Sequence, residues 1–133
     1  AMALSVDRID HIVINCRDVE TTASWYERVL GMQREVFGDF KHTALKFGHQ
    51  KFNVRPTGAR GWMTSEVDSP GTLDLCFVTR QSPEEVVAHF TACGVAIVTG
   101  PVRKIGARGD MISVYCRDPD GNLIEVSTYP ESA

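Results

Sequence analysis

The sequence lacks a strong charge of either sign and any long apolar run. Its 133 residues include 14 basic and 17 acidic side chains, for a formal net charge of -3. This balance gives no electrostatic footprint for nucleic acid or for an anionic membrane, so we expect neither as a partner. No stretch approaches the ~20 apolar residues that a membrane-spanning helix requires.

The spacing of the four cysteines argues against several kinds of site. Cys16, Cys76, Cys93 and Cys116 form no C-x-x-C pair, which argues against a thiolate zinc site or a redox motif. The first residues have neither the basic nor the apolar region of an export signal. We therefore expect a cytoplasmic protein with reduced thiols.

What the sequence does contain is an internal repeat. Residues 11–34 and 74–97 align without a gap at an offset of 63, and each runs from an alternating strand through an amphipathic helix to a glycine. The chain length of 133 residues is typical of one domain, since domains average roughly 150 residues. We expect a single domain over residues 1–133, with modules at about 8–56 and 72–129 and a linker at 57–71.

Both predicted helices carry start and stop signals. Ser82 and Glu85 have the spacing of a capping box, and Asp18 is the candidate N-cap of the first helix. Gly31 and Gly94 follow the last apolar positions and are expected to end the helices.

Three short strands are predicted after each helix, near 33–37, 42–47 and 50–55 and near 95–98, 111–117 and 123–128. The run from Asp118 to Asn122 has the Pro and Gly of a tight turn, which would pair Tyr115 with Glu125 across a hairpin. The fold class is therefore α+β, with two βαβββ modules forming a curved mixed sheet around a cavity.

Strand alternation predicts which side chains face that cavity. The apolar side chains of each strand should pack on the helices, which leaves the other set on the opposite face. That second face collects side chains of metal-ligand type, one from each of four strands, with an arginine and a tyrosine nearby: His11, Asn53, Asp74, Glu125, Arg55 and Tyr115.

These features resemble the vicinal oxygen chelate superfamily, which has the glyoxalase/bleomycin resistance/dioxygenase fold. The resemblance lies in D-H-I-V-I-N-C-R-D-V-E, in W-Y-E-R-V-L-G-M, and in the ending R-D-P-D-G-N-L-I-E-V-S. It covers residues 8–129, and the subgroup it resembles most is the glyoxalase-domain-containing protein 5 type. It implies a metal held on four equivalent strands, at the positions of His11, Asn53, Asp74 and Glu125, of which His11, Asp74 and Glu125 are the predicted ligands.

The donor set departs from that of better-known members, which have a His or Glu where Asn53 stands and a His where Asp74 stands. One imidazole, two carboxylates and an amide oxygen favour Mn or Mg over Zn, Ni or Fe, although these remain possible. Because Asn53 cannot accept a proton as a carboxylate can, Glu125 or Asp74 would be the catalytic base. Candidate substrate-binding residues are Arg55, Asn53, Tyr115 and Arg103.

The resemblance implies glyoxalase-like lyase or isomerase chemistry on a small substrate with vicinal oxygens. Two alternatives stay open: a ring-cleaving dioxygenase, disfavoured because only His11 among the four positions is a histidine, and a metal-free binding protein of the bleomycin-resistance type. The resemblance also implies a homodimer, with the site either inside one chain or shared between two.

Overall fold

The computed structural model describes residues 2–130, and the first half of the chain forms one βαβββ module. Its elements are β1 (His11–Cys16), α1 (Val19–Leu30), β2 (Gln33–Phe37), β3 (His42–Phe47) and β4 (Gln50–Pro56). We call this part module 1. Its sheet has the order β1-β4-β3-β2, with β1 parallel to β4 and the other neighbours antiparallel.

The second half repeats this plan and is called module 2. Its elements are β5 (Asp74–Val78), α2 (Pro83–Ala92), β6 (Thr99–Gly106), β7 (Gly109–Arg117) and β8 (Leu123–Thr128). The sheet order β5-β8-β7-β6 matches that of module 1. The predicted α+β class with two βαβββ modules is confirmed.

The expected strand near 95–98 is wrong. Strand β6 begins at Thr99, and residues 95–98 follow the turn that ends α2, where the Val95 amide donates to the Phe90 carbonyl. Val95 and Ile97 alternate because both pack on the core, which gives them a strand-like pattern without sheet pairing. Alternation of apolar residues indicates that one side of a segment is buried. It does not indicate that the segment is hydrogen-bonded to a neighbouring strand.

The predicted helix ends are confirmed. The Asp18 side chain accepts from the Thr21 amide, and Gly31 ends α1 at φ 67°. Ser82 and Glu85 form the reciprocal capping box at α2. Gly94 follows α2 with φ 71°, a left-handed conformation that favours glycine.

The helix-facing side chains of both sheets meet in one hydrophobic core. Ile14, Phe52, Ile124 and Val126 all belong to it, as strand alternation predicted. The rings of Phe47 in module 1 and Phe77 in module 2 lie 5.5 Å apart, and this contact joins the two halves. Among residues 2–130, neither helix is long and apolar enough to cross a membrane.

The turn between β7 and β8 fastens module 2 to helix α1. Arg17 donates to the Asp120 carboxylate at 3.0 Å, and the Thr22 hydroxyl donates to its other oxygen at 3.2 Å. The Tyr26 hydroxyl donates to Asp118. Both carboxylates are buried, so the turn motif forms part of the contact between modules as well as closing the hairpin.

Candidate functional site

Each sheet has a face turned away from its helix, which we call the open face. On module 1, Arg55 donates to the side-chain oxygen of Asn15 at 2.8 Å, which shows that the two share this face. The register of β1 with β4 places His11 beside Lys51 and Val13 beside Asn53 on the same side. The predicted face of module 1 is therefore correct.

His11 begins β1, and its side chain is 46% exposed. Its Nδ1 lies 2.8 Å from the Asp10 carboxylate. This hydrogen bond holds the pKa of Asp10 below its ordinary value. A carboxylate on one ring nitrogen fixes the orientation of the ring and leaves Nε2 as the free nitrogen, an arrangement typical of metal-binding histidines.

Asn53 lies in the middle of β4, opposite Ala44 of β3. Its side-chain oxygen is buried and has no hydrogen-bond partner among the described residues. Buried polar atoms are nearly always satisfied, so an oxygen without a partner on an open face is consistent with a ligand-binding role.

Arg55 is buried, and its guanidinium is already engaged by the linker. It forms an ion pair with Asp68 at 2.8 Å and donates to the Ala59 carbonyl at 3.0 Å. The hydrogen bond to Arg55 keeps the pKa of Asp68 below its ordinary value. The segment predicted as the linker, residues 57–71, therefore contacts module 1 and is anchored there.

Aromatic side chains form a wall beside this anchor. Trp62 of the linker packs on His42 with ring centroids 4.0 Å apart, and Phe37 lies 5.8 Å from the same imidazole. The Lys51 ammonium sits 3.7 Å from the centre of the Phe37 ring. The open face of module 1 thus offers aromatic surface with cations at its edge.

The open face of module 2 carries two carboxylates, those of Asp74 and Glu125. The register places Cys76 and Tyr115 on either side of Glu125, and Asp74 begins the neighbouring strand β5. Glu125 is 9% exposed, and Ser127 donates to it at 3.3 Å. Partial burial, followed by the Glu125 carboxylate, raises the pKa of Tyr115 to about 12, so its hydroxyl stays a donor at neutral pH.

The structure brings together only part of the predicted set. Asp74, Glu125 and Tyr115 gather on module 2, whereas His11, Asn53 and Arg55 gather on module 1. Within residues 2–130, no group of three or more His, Cys, Asp or Glu side chains is placed to hold a metal ion. A single chain therefore does not assemble His11, Asp74 and Glu125 at one point.

Arg103 does not lie on the open face of module 2. It pairs with Ile112 in β6–β7, one step out of phase with Val102 and Ser113, so it lies on the opposite side of the sheet. Its guanidinium binds Asp110 through two hydrogen bonds of 2.8 and 2.9 Å. The sequence predicts this strand near 95–98, whereas β6 begins at Thr99. Without the pairing register of β6, the face of the sheet on which Arg103 lies cannot be predicted.

Sequence reasoning missed Asp10 and Asp68, the two carboxylates that hold His11 and Arg55. Asp10 could have been suspected, because an acidic residue directly precedes the candidate ligand. Asp68 gave no signal, since it lies in an irregular segment 13 residues from Arg55.

The duplicated βαβββ fold, with polar side chains on the open face of each module, defines the class of protein. A family profile described as Glyoxalase/Bleomycin resistance protein/Dioxygenase superfamily matches residues 8–126. The chain belongs to this superfamily.

Three similar proteins illustrate the relationship. The virulence protein STM3117 of Salmonella typhimurium is 41% identical over 129 residues, which is 97% of this chain and 89% of that protein. The glyoxalase domain-containing protein RDO1 of Mycosarcoma maydis is 43% identical, covering 97% and 72%. The solved structure of an integron cassette protein from V. cholerae has a TM-score of 0.93 at 42% identity, covering 96% and 99%.

More distant solved structures share the fold alone. A lactoylglutathione lyase from Agrobacterium tumefaciens has a TM-score of 0.72 at 20% identity, covering 93% of this chain and 95% of that one. A fosfomycin resistance protein from Listeria monocytogenes, complexed with Mn(II), has a TM-score of 0.64 at 15% identity, covering 92% and 90%.

Proposed function

We propose that the protein is a divalent-metal-dependent enzyme with glyoxalase-like lyase or isomerase chemistry, acting on a small substrate with vicinal oxygens. The observation that carries this proposal is Glu125, a carboxylate only 9% exposed that forms no ion pair with any residue from 2 to 130. Burying a charged group is costly unless it is paired or binds a metal. A cation on the open face would satisfy it.

The other donors fit the same cation. Asn53 has a buried oxygen without a partner, and His11 has one ring nitrogen left free by Asp10. One imidazole with carboxylate and amide oxygens suits a hard ion, so Mn or Mg is favoured. The two distant structures named above act on lactoylglutathione or carry Mn(II), and we extend that kind of chemistry to this chain as part of the proposal.

Because no group of three or more such side chains is placed to hold a metal within residues 2–130, we propose that two chains supply the donors together. His11 and Val78 both line an apolar cleft of about 560 Å³ that residues of the two modules form. Asp74 begins β5, and four residue steps of strand put it about 13 Å from Val78. We therefore propose a homodimer in which His11 and Asn53 of one copy face Asp74 and Glu125 of the other.

His11, Asp74 and Glu125 would hold a divalent cation, which would supply Lewis-acid polarisation of the substrate. The chain's own residues supply proton transfer and orientation. Asp74 or Glu125 would accept the proton from the substrate carbon, because the Asn53 amide cannot. The Tyr115 hydroxyl, held protonated beside Glu125, would donate a hydrogen bond to a substrate oxygen.

A metal-free binding protein is the second candidate, and the aromatic wall favours it. Phe37, His42 and Trp62 offer a planar surface on which an aromatic compound could stack. The two candidates differ in one measurable property, which is the metal content of the purified protein.

The test is elemental analysis of the wild-type protein and of two site variants. His11→Ala and Glu125→Gln should each lower the bound metal at least tenfold while circular dichroism stays unchanged. His49→Ala and Glu84→Gln, which change an exposed histidine and an exposed glutamate, are the matched controls and should keep the wild-type stoichiometry. Unchanged metal in both site variants would reject the proposal, and a metal-free wild type that binds aromatic ligands would favour the second candidate.

A further inference from the structure

Two buried serines lie side by side next to Glu125 on the open face of module 2. Ser127 of β8 pairs with Ser113 of β7, and both side chains are fully buried. Their hydroxyl oxygens are 2.6 Å apart, which is a short hydrogen bond. Ser127 follows Glu125 by two residues in the same strand, so alternation puts both side chains on one face. The proposed function assigns no role to either serine.

The direction of each hydrogen bond follows from counting protons. A carboxylate only accepts hydrogen bonds, so Ser127 donates its single proton to Glu125 Oε2, 3.3 Å away. The short contact with Ser113 then has Ser113 as its donor. The Cys76 thiol lies 3.2 Å from the same hydroxyl and donates to it for the same reason. Ser127 thus makes one hydrogen bond as donor and two as acceptor, which is the full capacity of a hydroxyl group.

These contacts distinguish the two oxygens of the Glu125 carboxylate. The hydroxyl of Ser127 contacts Oε2, which leaves Oε1 as the oxygen for a cation or for a substrate proton. Because Ser127 is itself held by two donors and is fully buried, its hydroxyl is not free to turn away. The carboxylate therefore has one preferred orientation before any ligand binds.

The repeat shows that the fold itself does not require a serine at this position. Asn53 of β4 and Glu125 of β8 occupy equivalent places in the strand registers of the two modules. Two residues further on, module 1 has Arg55, whose guanidinium forms an ion pair with Asp68, and module 2 has Ser127. An arginine beside Glu125 would pair with its charge, whereas a hydroxyl orients the carboxylate and leaves the charge available to a cation.

We infer that Ser127 is a positioning residue, which holds Glu125 Oε2 so that Oε1 is presented to a ligand, and that Ser113 and Cys76 hold Ser127 in its donor orientation. The inference rests on the proposed function, in which Glu125 binds the cation. Ser127 contacts neither cation nor substrate and acts through Glu125. Removing a group that orients a metal ligand typically weakens metal binding by about 10–100-fold.

The first test needs no metal. In metal-free protein labelled with carbon-13 at its glutamate carboxyl groups, the NMR signal of Glu125 is the one that disappears in Glu125→Gln. Ser127→Ala should shift this signal, because the hydrogen bond to Oε2 is lost. Ser113→Ala should shift it by a smaller amount, because Ser127 keeps its proton and loses only one of its two donors. An unshifted signal in Ser127→Ala, or a larger shift in Ser113→Ala, overturns the inference.

The second test measures the Mn dissociation constant from the electron paramagnetic resonance of free Mn(II). Ser127→Ala should raise this constant about tenfold or more at unchanged circular dichroism, and Ser113→Ala should raise it less. The matched control is Thr22→Val, which removes another buried hydroxyl that donates to a buried carboxylate, that of Asp120, at 3.2 Å. Its dissociation constant should equal that of the wild type, since Thr22 lies on α1 and not on an open face.

The outcomes separate this inference from the proposed function. Wild-type Mn affinity in Ser127→Ala, with weak binding in Glu125→Gln, overturns the positioning role and leaves the metal site standing. Wild-type affinity in Glu125→Gln, or no Mn binding by the wild type, rejects the proposed function. The NMR signal of Glu125 in the metal-free protein then decides by itself whether Ser127 holds the carboxylate.

Discussion

The hydroxyl of Tyr26 on α1 donates to the buried carboxylate of Asp118, 2.7 Å away in the turn between β7 and β8. The same carboxylate accepts from the backbone amides of Asp120 and Asn122, both at 2.9 Å. One side chain thus closes the hairpin of module 2 and binds the helix of module 1. The acidic turn within the R-D-P-D-G-N-L-I-E-V-S motif therefore has a structural role and is not part of the open face.

Replacing Tyr26 with phenylalanine should therefore destabilise the protein. A hydrogen bond to a buried charged group contributes about 1.5–3 kcal/mol, and its loss leaves Asp118 with one donor fewer. We expect Tyr26→Phe to lower the free energy of unfolding by that amount in urea titrations, with metal binding retained. Tyr129→Phe, which removes an exposed hydroxyl contact to the Arg108 amide, should change it by less. Equal free energies of unfolding for the two variants would show that the Tyr26–Asp118 hydrogen bond does not stabilise the contact between the modules.

Local signals in the sequence were sufficient to predict most of the fold. Caps at Asp18 and Ser82 and the pairing of Tyr115 with Glu125 depend on residues close together in the chain, and all three are confirmed. The error at β6 arose because Val95 and Ile97 are buried in alternation without pairing. Burial and strand pairing usually coincide, and here they do not.

The candidate site was only half predictable, for a different reason. Alternation assigns a side chain to a face of its own sheet, and it did so correctly for Asn53 and Glu125. It carries no information on how two separate sheets face one another, so it left open whether His11 and Asp74 meet within one chain or between two. Asp68 was missed because an irregular segment shows no alternation of apolar and polar residues from which a side chain's position could be predicted.

The ion pair of Asp68 with Arg55 should make the linker sensitive to acid. Because the folded-state pKa of Asp68 is lowered, its stabilisation is present above the ordinary value of 3.8 and is lost as the pH falls below it. Asp68→Asn should release Trp62 from His42 at neutral pH, seen as a change in tryptophan fluorescence. The wild type should show the same change only in acid. The exposed Glu66→Gln is the control, and a variant with wild-type fluorescence at all pH values would refute the anchoring role.

Two thiols should stay unreactive until the chain unfolds. Cys16 and Cys116 are fully buried, and burial raises their pKa to about 11 and about 12 from 9.0. Because the folded state disfavours the thiolates, the free energy of unfolding is highest below pH 9.0. It falls as the pH rises from 9.0 toward the folded-state pKa values. Ellman's reagent at pH 8 should therefore label at most two of the four cysteines. Cys116→Ala should reduce the fall in stability between pH 9 and 11, and rapid labelling of all four thiols would contradict the buried positions.

Metal preference should follow the oxygen-rich donor set. Adding Mn to metal-depleted protein should raise the melting temperature with the logarithm of the Mn concentration above its dissociation constant, since a ligand that binds only the folded state stabilises it by mass action. His11→Ala should show no such rise. A stronger response to Fe(II), with oxygen consumed in the presence of catechols, would instead favour the ring-cleaving dioxygenase alternative.

Mixing two inactive variants decides whether the site is shared. His11→Ala and Glu125→Gln proteins, unfolded together and refolded, should form mixed dimers if chains exchange modules. Each mixed dimer then holds one site with both native side chains, His11 from one chain and Glu125 from the other, and one site with neither. Random pairing makes half of the dimers mixed, so about a quarter of the wild-type metal should return. Each variant refolded alone is the control and should bind none. If the mixture also binds none while refolded wild type binds fully, His11 and Glu125 act within one chain.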